Sequence, residues 1–207
     1  YNGITHYSST YHRGVNRFLS QSGFAQAYFW SSYFGSTMLT DDLFSVRYVI
    51  SDHSVSSSYS RIAENDLAAL YGNPDTIPIA MVVKEPSLSG FAFADNPFES
   101  QNRLMRALTD SDDTFFTEIE AEASFGDSAT EYRFVSGGEP VYAVFAGGRY
   151  GDRLSVNSET VSPLFTNETR CIQYIGTFDV GRRINVTVES QYAVEGVFCQ
   201  LNTGLLH

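Results

Sequence analysis

From Ser8 to Gly23 the apolar residues Tyr11, Val15, Phe18 and Leu19 recur at three- and four-residue intervals, the spacing that brings side chains onto one face of an α-helix. Ser9 or Thr10 can cap its start and Gly23 its end. An aromatic patch follows, Tyr28, Phe29, Trp30, Tyr33 and Phe34 among serines and glycines, closing on the polar turn Thr40-Asp41-Asp42. Leu43 to Ile50 is rich in β-branched and aromatic residues and predicts a buried strand. The serine-rich stretch from Ser51 to Ser60 predicts a loop, leading through Glu64 to Leu70 into a second apolar strand of the same small sheet, Ile77 to Val83. Asn96-Pro97-Phe98-Glu99 then offers an Asn cap, a proline at the first helical position and a capping-box glutamate. The helix should run to about Leu108 and bury Phe98, Leu104, Met105 and Leu108.

After Asp110 to Asp113 the period changes from 3.6 to 2. Runs near residues 115–123, 129–136, 140–146, 152–157, 171–178, 183–189 and 192–200 alternate or are aromatic-rich, separated by Gly, Asp, Asn and Pro turns. Short strands at this spacing predict antiparallel pairing. The expected fold class is therefore α+β: a small mixed α/β domain over residues 1–112, followed by an antiparallel β-sandwich, jelly-roll-like, over residues 113–207.

At 207 residues and 43% hydrophobic content the chain can build a real core. It opens on Tyr1 without a basic, apolar and then small-residue leader, and no run approaches the ~18 apolar residues needed to cross a bilayer, so it reads as a part of something longer. The net charge of −11 is spread along the chain: residues 1–112 carry seven cations against eleven anions, and residues 113–207 six against thirteen. Without clustered positive charge, nucleic acid and anionic lipid are poor partners. The two cysteines, Cys171 and Cys199, leave two readings open, one disulfide between strands or two buried small hydrophobes. Neither reading makes a zinc site, since no second close pair exists and the histidines lie elsewhere.

Candidate chemistry is sparse. His6, His12 and His53 do not share a helical face, and His207 ends the chain. Asp41-Asp42 and the group Asp110, Asp112 and Asp113 sit where loops meet secondary structure, where aspartates cap and turn the backbone. Glu118, Glu120 and Glu122 alternate with apolar residues, as on a solvent-facing strand. There is no nucleophile elbow, no phosphate loop with a following lysine and no dinucleotide fingerprint. No catalytic residue, metal or cofactor is assigned. The 16 Phe, 13 Tyr and one Trp leave Tyr28, Trp30 and Tyr33 as candidates for stacking on sugar rings, against the plainer reading that they are core.

Several stretches, read in order, resemble a known family: residues 1–23 (YNGITHYSSTYHRGVNRFLSQSG), 39–51 (LTDDLFSVRYVIS), 72–83 (GNPDTIPIAMVV), 95–109 (DNPFESQNRLMRALT) and 172–188 (IQYIGTFDVGRRINVTV). Together they resemble the extracytoplasmic region of YfhO-like bacterial multi-spanning membrane proteins. The family's usual Tyr after Asn-Pro is Asp75 here, and the cysteine pair is not part of its pattern. Such proteins are similar to GT-C-type transferases that use polyprenyl-linked sugars, and are implicated in glycosylating cell-envelope polymers such as teichoic acids. The resemblance places the catalytic carboxylate in a membrane loop outside this chain, so no catalytic residue carries over. The matching positions, among them Tyr7, Ser8, Ser9, Asp41, Tyr48, Asn73, Pro78, Asn96, Pro97, Glu99 and Asn102, read as caps, turns and core contacts. What it implies is a domain outside the cell membrane that caps the membrane site or positions an acceptor polymer. Its partners would be the membrane-spanning part of the same polypeptide and a cell-envelope glycopolymer. The rival readings are a carbohydrate-binding module without catalysis, and a stand-alone hydrolase using Asp41 and Asp42 or Asp110 to Asp113.

Overall fold

The computed structural model describes residues 6–7, 12–27, 30–52, 55–78, 82–83, 89–149, 151–161 and 171–206. A short strand β1 (His6–Tyr7) precedes helix α1 (Arg13–Gln21), and strands β2 (Gln26–Ala27) and β3 (Trp30–Ser31) follow it. These three strands form a small sheet in the order β1-β3-β2. The described cap of α1 is His12, whose ring accepts a hydrogen bond from the Gly14 N–H; Ser9 and Thr10 lie outside the described residues. Gly23 takes φ +95° just past the helix, as the sequence predicts for its end.

The stretch expected as a polar turn is helix α2 (Met38–Leu43), held by a reciprocal capping box between Thr37 and Thr40. Strands β4 (Tyr48–Ser51), β5 (Ser60–Glu64) and β6 (Ala69–Gly72) make a second small antiparallel sheet in the order β4-β6-β5. Within β4 only Val49 is buried, while Tyr48 and Ile50 face outward, so the run expected to be a buried strand is an exposed-edged one. The second apolar strand expected at 77–83 falls partly outside the described residues, and its described ends are not strand.

Helix α3 (Pro97–Thr109) starts with Asn96 accepting from the Phe98 N–H and Pro97 at the first helical position, as the sequence predicts, while the expected capping-box residue Glu99 accepts from Arg103 instead. It buries Phe98, Leu104 and Met105, and also a polar row, Ser100, Gln101 and Asn102. Asn102 docks the next strand by accepting from the Phe116 N–H at 2.8 Å and donating to the Phe116 carbonyl at 2.9 Å. Gln101 ties α3 to the first half, donating to the Ser22 carbonyl and accepting from the Thr37 hydroxyl.

Beyond α3 run β7 (Phe116–Ile119), β8 (Glu122–Phe125), β9 (Ala129–Val135), β10 (Val141–Ala146), β11 (Arg153–Val156), β12 (Glu159–Val161), β13 (Gln173–Gly176), β14 (Arg183–Glu189) and β15 (Glu195–Leu201). They divide into a four-stranded sheet, β13-β10-β15-β7, and a five-stranded one, β12-β11-β14-β9-β8. All their pairings are antiparallel.

The expected jelly-roll-like β-sandwich is corrected by this arrangement. The strands lie in separate antiparallel sheets that neither close nor curl into a jelly roll, and of the expected fold class the α+β composition is what holds. The reason lies in β10, where Val141 to Phe145 are buried without interruption. Val141, Ala143 and Phe145 enter one core with Phe134, Ile184, Val186 and Val188 of the five-stranded sheet. Tyr142 and Val144 enter a second core with Met38, Phe98, Met105 and Phe115 of the helical part. The four-stranded sheet is thus covered on both faces.

Candidate functional site

The second core is not closed over its whole extent. Between the loop that leads into α2, strand β4 and the β13 edge of the four-stranded sheet lies a cavity of about 280 Å³. Its polar wall is built by Tyr33, Asp41, Tyr59, Tyr142, Gln173 and Tyr174, and its apolar wall by Met38, Val49, Val55, Val161 and Ile172. Among the described residues no lysine, arginine or histidine lines it.

Asp41 sits in the first turn of α2, in the tight run Met38-Leu39-Thr40 that the capping box fixes, and is 3% exposed. Its Oδ2 accepts two short hydrogen bonds, from the Tyr33 hydroxyl at 2.6 Å and the Tyr59 hydroxyl at 2.6 Å. Its Oδ1 is buried and has no hydrogen-bond partner among the described residues. Burial pushes the Asp41 carboxyl up to about 7; the hydroxyls of Tyr33, Tyr59 and Ser36 oppose that rise and the neighbouring Asp42 adds to it. The same burial, reinforced by the Asp41 charge, pushes the Tyr33 and Tyr59 phenols above their ordinary range, so both remain donors. Asp42 is turned elsewhere, accepting from the Asn73 amide at 2.8 Å.

Gln173, on β13 and 3% exposed, also lines the cavity, and its Nε2 is fully buried without a hydrogen-bond partner among the described residues. Tyr142 on β10 accepts from the Met38 N–H, and Tyr174 shares a hydrogen bond with Thr177. The loop that carries Tyr33 passes close to the chain after α1. Gly35 takes φ +89°, and a side chain there would overlap the Gly23 carbonyl oxygen, so only glycine lets the two segments meet. The Gly23 carbonyl also accepts from the Ile172 N–H, which fixes the β13 edge against the same loop.

Of the aromatic candidates, Tyr33 lines this cavity with its hydroxyl on Asp41, Trp30 is half-buried on β3 and is not among the lining residues, and Tyr28 lies outside the described residues. Cys171 and Cys199 are both buried, and neither is in a disulfide. Burial, followed by the nearby Glu118 charge, pushes Cys199 up to about 12, so it packs as a thiol. None of the other carboxylates singled out in the sequence lines this cavity. Asp112 and Asp113 are exposed beyond α3, where Asp110 ends the helix in the left-handed region. Glu118 and Glu122 are exposed and belong to strands of different sheets. The sequence reading took Asp41 for a turn residue and did not single out Gln173 or Tyr59. A carboxylate pair set directly between Met38-Leu39 and Leu43-Phe44 was the one signal that α2 would carry charge inward.

Comparison with known proteins finds one family. The family described as bacterial membrane protein YfhO matches residues 1–134, from the start of the chain into β9, and so takes in Tyr33, Asp41 and Tyr59. No curated protein and no solved structure matches. Among the described residues no helix is long and apolar enough to cross a membrane. Because the match spans residues 1–134 of 207, the chain belongs to the YfhO family of bacterial membrane proteins.

Proposed function

We propose that this chain is the extracytoplasmic part of a membrane protein that glycosylates cell-envelope polymers such as teichoic acids, and that it positions the acceptor beside, or caps, an active site carried by the membrane-spanning part of the same polypeptide. The observation that carries this reading is the make-up of the cavity. Carboxylate chemistry on a glycosidic bond needs two carboxyl groups facing each other across a cleft, about 5–9 Å apart. Among the described residues a single carboxylate lines the cavity, clamped by two tyrosines, with its neighbour Asp42 engaged by Asn73. That arrangement suits recognition better than bond breaking, and it leaves transfer to the membrane part, which would draw on a lipid-linked sugar. The family membership supports the membrane setting, and the ordered motifs support the extracytoplasmic side.

The test is genetic. Removing this region from the full-length protein while keeping its membrane segments should abolish glycosylation of the envelope polymer, read by mass spectrometry of the purified polymer. The region alone should show no transferase activity. Unchanged glycosylation after its removal would sink the reading.

A further inference from the structure

We infer that the outward face of the small sheet β4-β6-β5, together with the tip of its β5–β6 hairpin, rests on the surface of a phospholipid bilayer, held there by apolar side chains and not by charge. The inference rests on membership of a membrane protein family and on the membrane setting proposed above, and adds to them the surface that meets the lipid.

An antiparallel sheet with one face on a core ordinarily turns polar side chains to water from the other. This sheet does not. Its core face carries Val49 and Tyr71, register partners that pack into the second core. On the other face Tyr48 is 64% exposed and Ile50 is 76% exposed. Directly opposed residues of an antiparallel pair share a face, so Gly72 and Leu70, the partners of Tyr48 and Ile50, lie beside them. Ile62, 55% exposed, joins the same face, because a Cβ at Gly72 would stand 2.9 Å from Ile62 Cδ1. At the hairpin end Asn65 accepts from the Leu67 and Ala68 N–H groups, and the turn that it fixes carries Leu67, 83% exposed. Four large apolar side chains this exposed between residues 48 and 67 form a patch, unlike the scattered single residues of an ordinary surface.

A bilayer surface fits this face better than a polyanion or a soluble partner does. The matched family is one of bacterial membrane proteins, and the match covers the whole sheet. The charged residues from 47 to 72 are Arg47 and Arg61 against Asp52, Glu64 and Asp66, and Arg61 and Glu64 pair with each other. Anionic headgroups therefore find no net attraction there, whereas insertion of apolar side chains at the acyl boundary needs none. Tyr48 adds a ring with a polar tip, the kind of side chain that sits at headgroup level. The three strands are four or five residues long, against the roughly 9–11 needed to cross, and β4 and β5 are the outer strands of the sheet. An open sheet edge is excluded from hydrocarbon, so the side chains dip and the backbone stays among the headgroups. Val49 of the same sheet lines the cavity, so this seating holds the cavity close behind the membrane surface.

The experiment is flotation of the 207-residue chain with vesicles of phosphatidylcholine alone, or of phosphatidylcholine with about a third phosphatidylglycerol. Each is run at about 0.1 M and about 1 M NaCl, where the screening length falls from ~10 Å to ~3 Å. The expected result is a floating fraction on phosphatidylcholine alone that neither the anionic lipid nor the salt changes by more than about twofold. Ile50→Ser combined with Leu67→Ser should reduce that fraction at least about fivefold while changing the unfolding temperature little, because both side chains already stand in water. Leu67→Ser alone, in a turn with no strand pairing to weaken, should already reduce it about twofold. Val135→Ser combined with Val180→Ser, exposed apolar positions outside this sheet, should leave it unchanged. No flotation, or flotation that the Ile50 and Leu67 variants leave unchanged, would overturn the inference. Flotation that requires phosphatidylglycerol and disappears at high salt would also overturn it, marking charge attraction at another surface. A dimer in sedimentation that the double variant dissolves, without vesicle binding, would overturn it by making the face a contact between two copies. The acceptor-positioning function is tested separately, by glycosylation in cells lacking the region, so either reading can fail while the other stands.

Discussion

Burying the Asp41 carboxyl is unfavourable, and the hydroxyls of Tyr33, Tyr59 and Ser36 offset only part of that desolvation, which is why its proton is held up to about pH 7. A carboxyl whose pKa is higher in the folded chain than in the unfolded one binds its proton more tightly when folded. Its contribution to stability is fully present below about pH 4 and is lost as pH rises through about 7. The size of the shift corresponds to an effect on the order of a few kcal/mol. Asp41→Asn keeps an acceptor for both tyrosines and removes the titration. The expected outcome is that the unfolding temperature of the unaltered protein falls, relative to that of Asp41→Asn, between pH 5 and pH 8, as read by circular dichroism. Parallel curves would mean that Asp41 is ionised throughout. Little of this was legible in the sequence, because the groups that define Asp41 stand eight residues before it and eighteen after it. A local reading sees an aspartate near a turn; the tyrosines reach it only once α2 packs on the sheet.

At the level of elements, legibility follows how far each signal is local. Helix α3 was readable because its cap, its proline and its apolar face all lie within its own residues. Strand β14, Arg183–Glu189, was readable because its alternation survives intact in the burial of Ile184, Val186 and Val188. Strands β5 and β8 were missed since every residue in both is exposed, so neither carries a buried apolar period. The polar row on α3 was missed for the opposite reason, because Gln101 and Asn102 look like a solvated face until their partners are known. Asn102 holds both backbone groups of Phe116, so Asn102→Ala leaves a buried N–H and a buried carbonyl unsatisfied. Each such group costs about 1–3 kcal/mol. The expected loss is roughly 2–4 kcal/mol in chemical denaturation, with Arg103→Ala on the exposed side of the same helix changing stability by less than about 1 kcal/mol. Equal effects for the two variants would contradict the docking role of Asn102.

At the scale of the whole molecule, most of the strand positions beyond α3 were legible and their assembly was not. Alternation tells which side chains enter a core, but it is silent on how many cores there are, and β10 serves two. The cavity is a product of that layering: its wall draws on the loop before α2, on β4, on the edge of β12 and on β13, segments more than a hundred residues apart in the chain. No motif announces such a site, although the family membership it sits within was visible in the ordered stretches of the first 134 residues. The measurement that tests the account most directly places Gln173→Leu in the full-length membrane protein as the sole copy in cells and measures glycan per unit of purified envelope polymer. The account predicts normal amounts of the protein in the membrane and of the polymer, with a severalfold loss of glycan. Full glycosylation by that variant would show that the cavity has no part in the reaction.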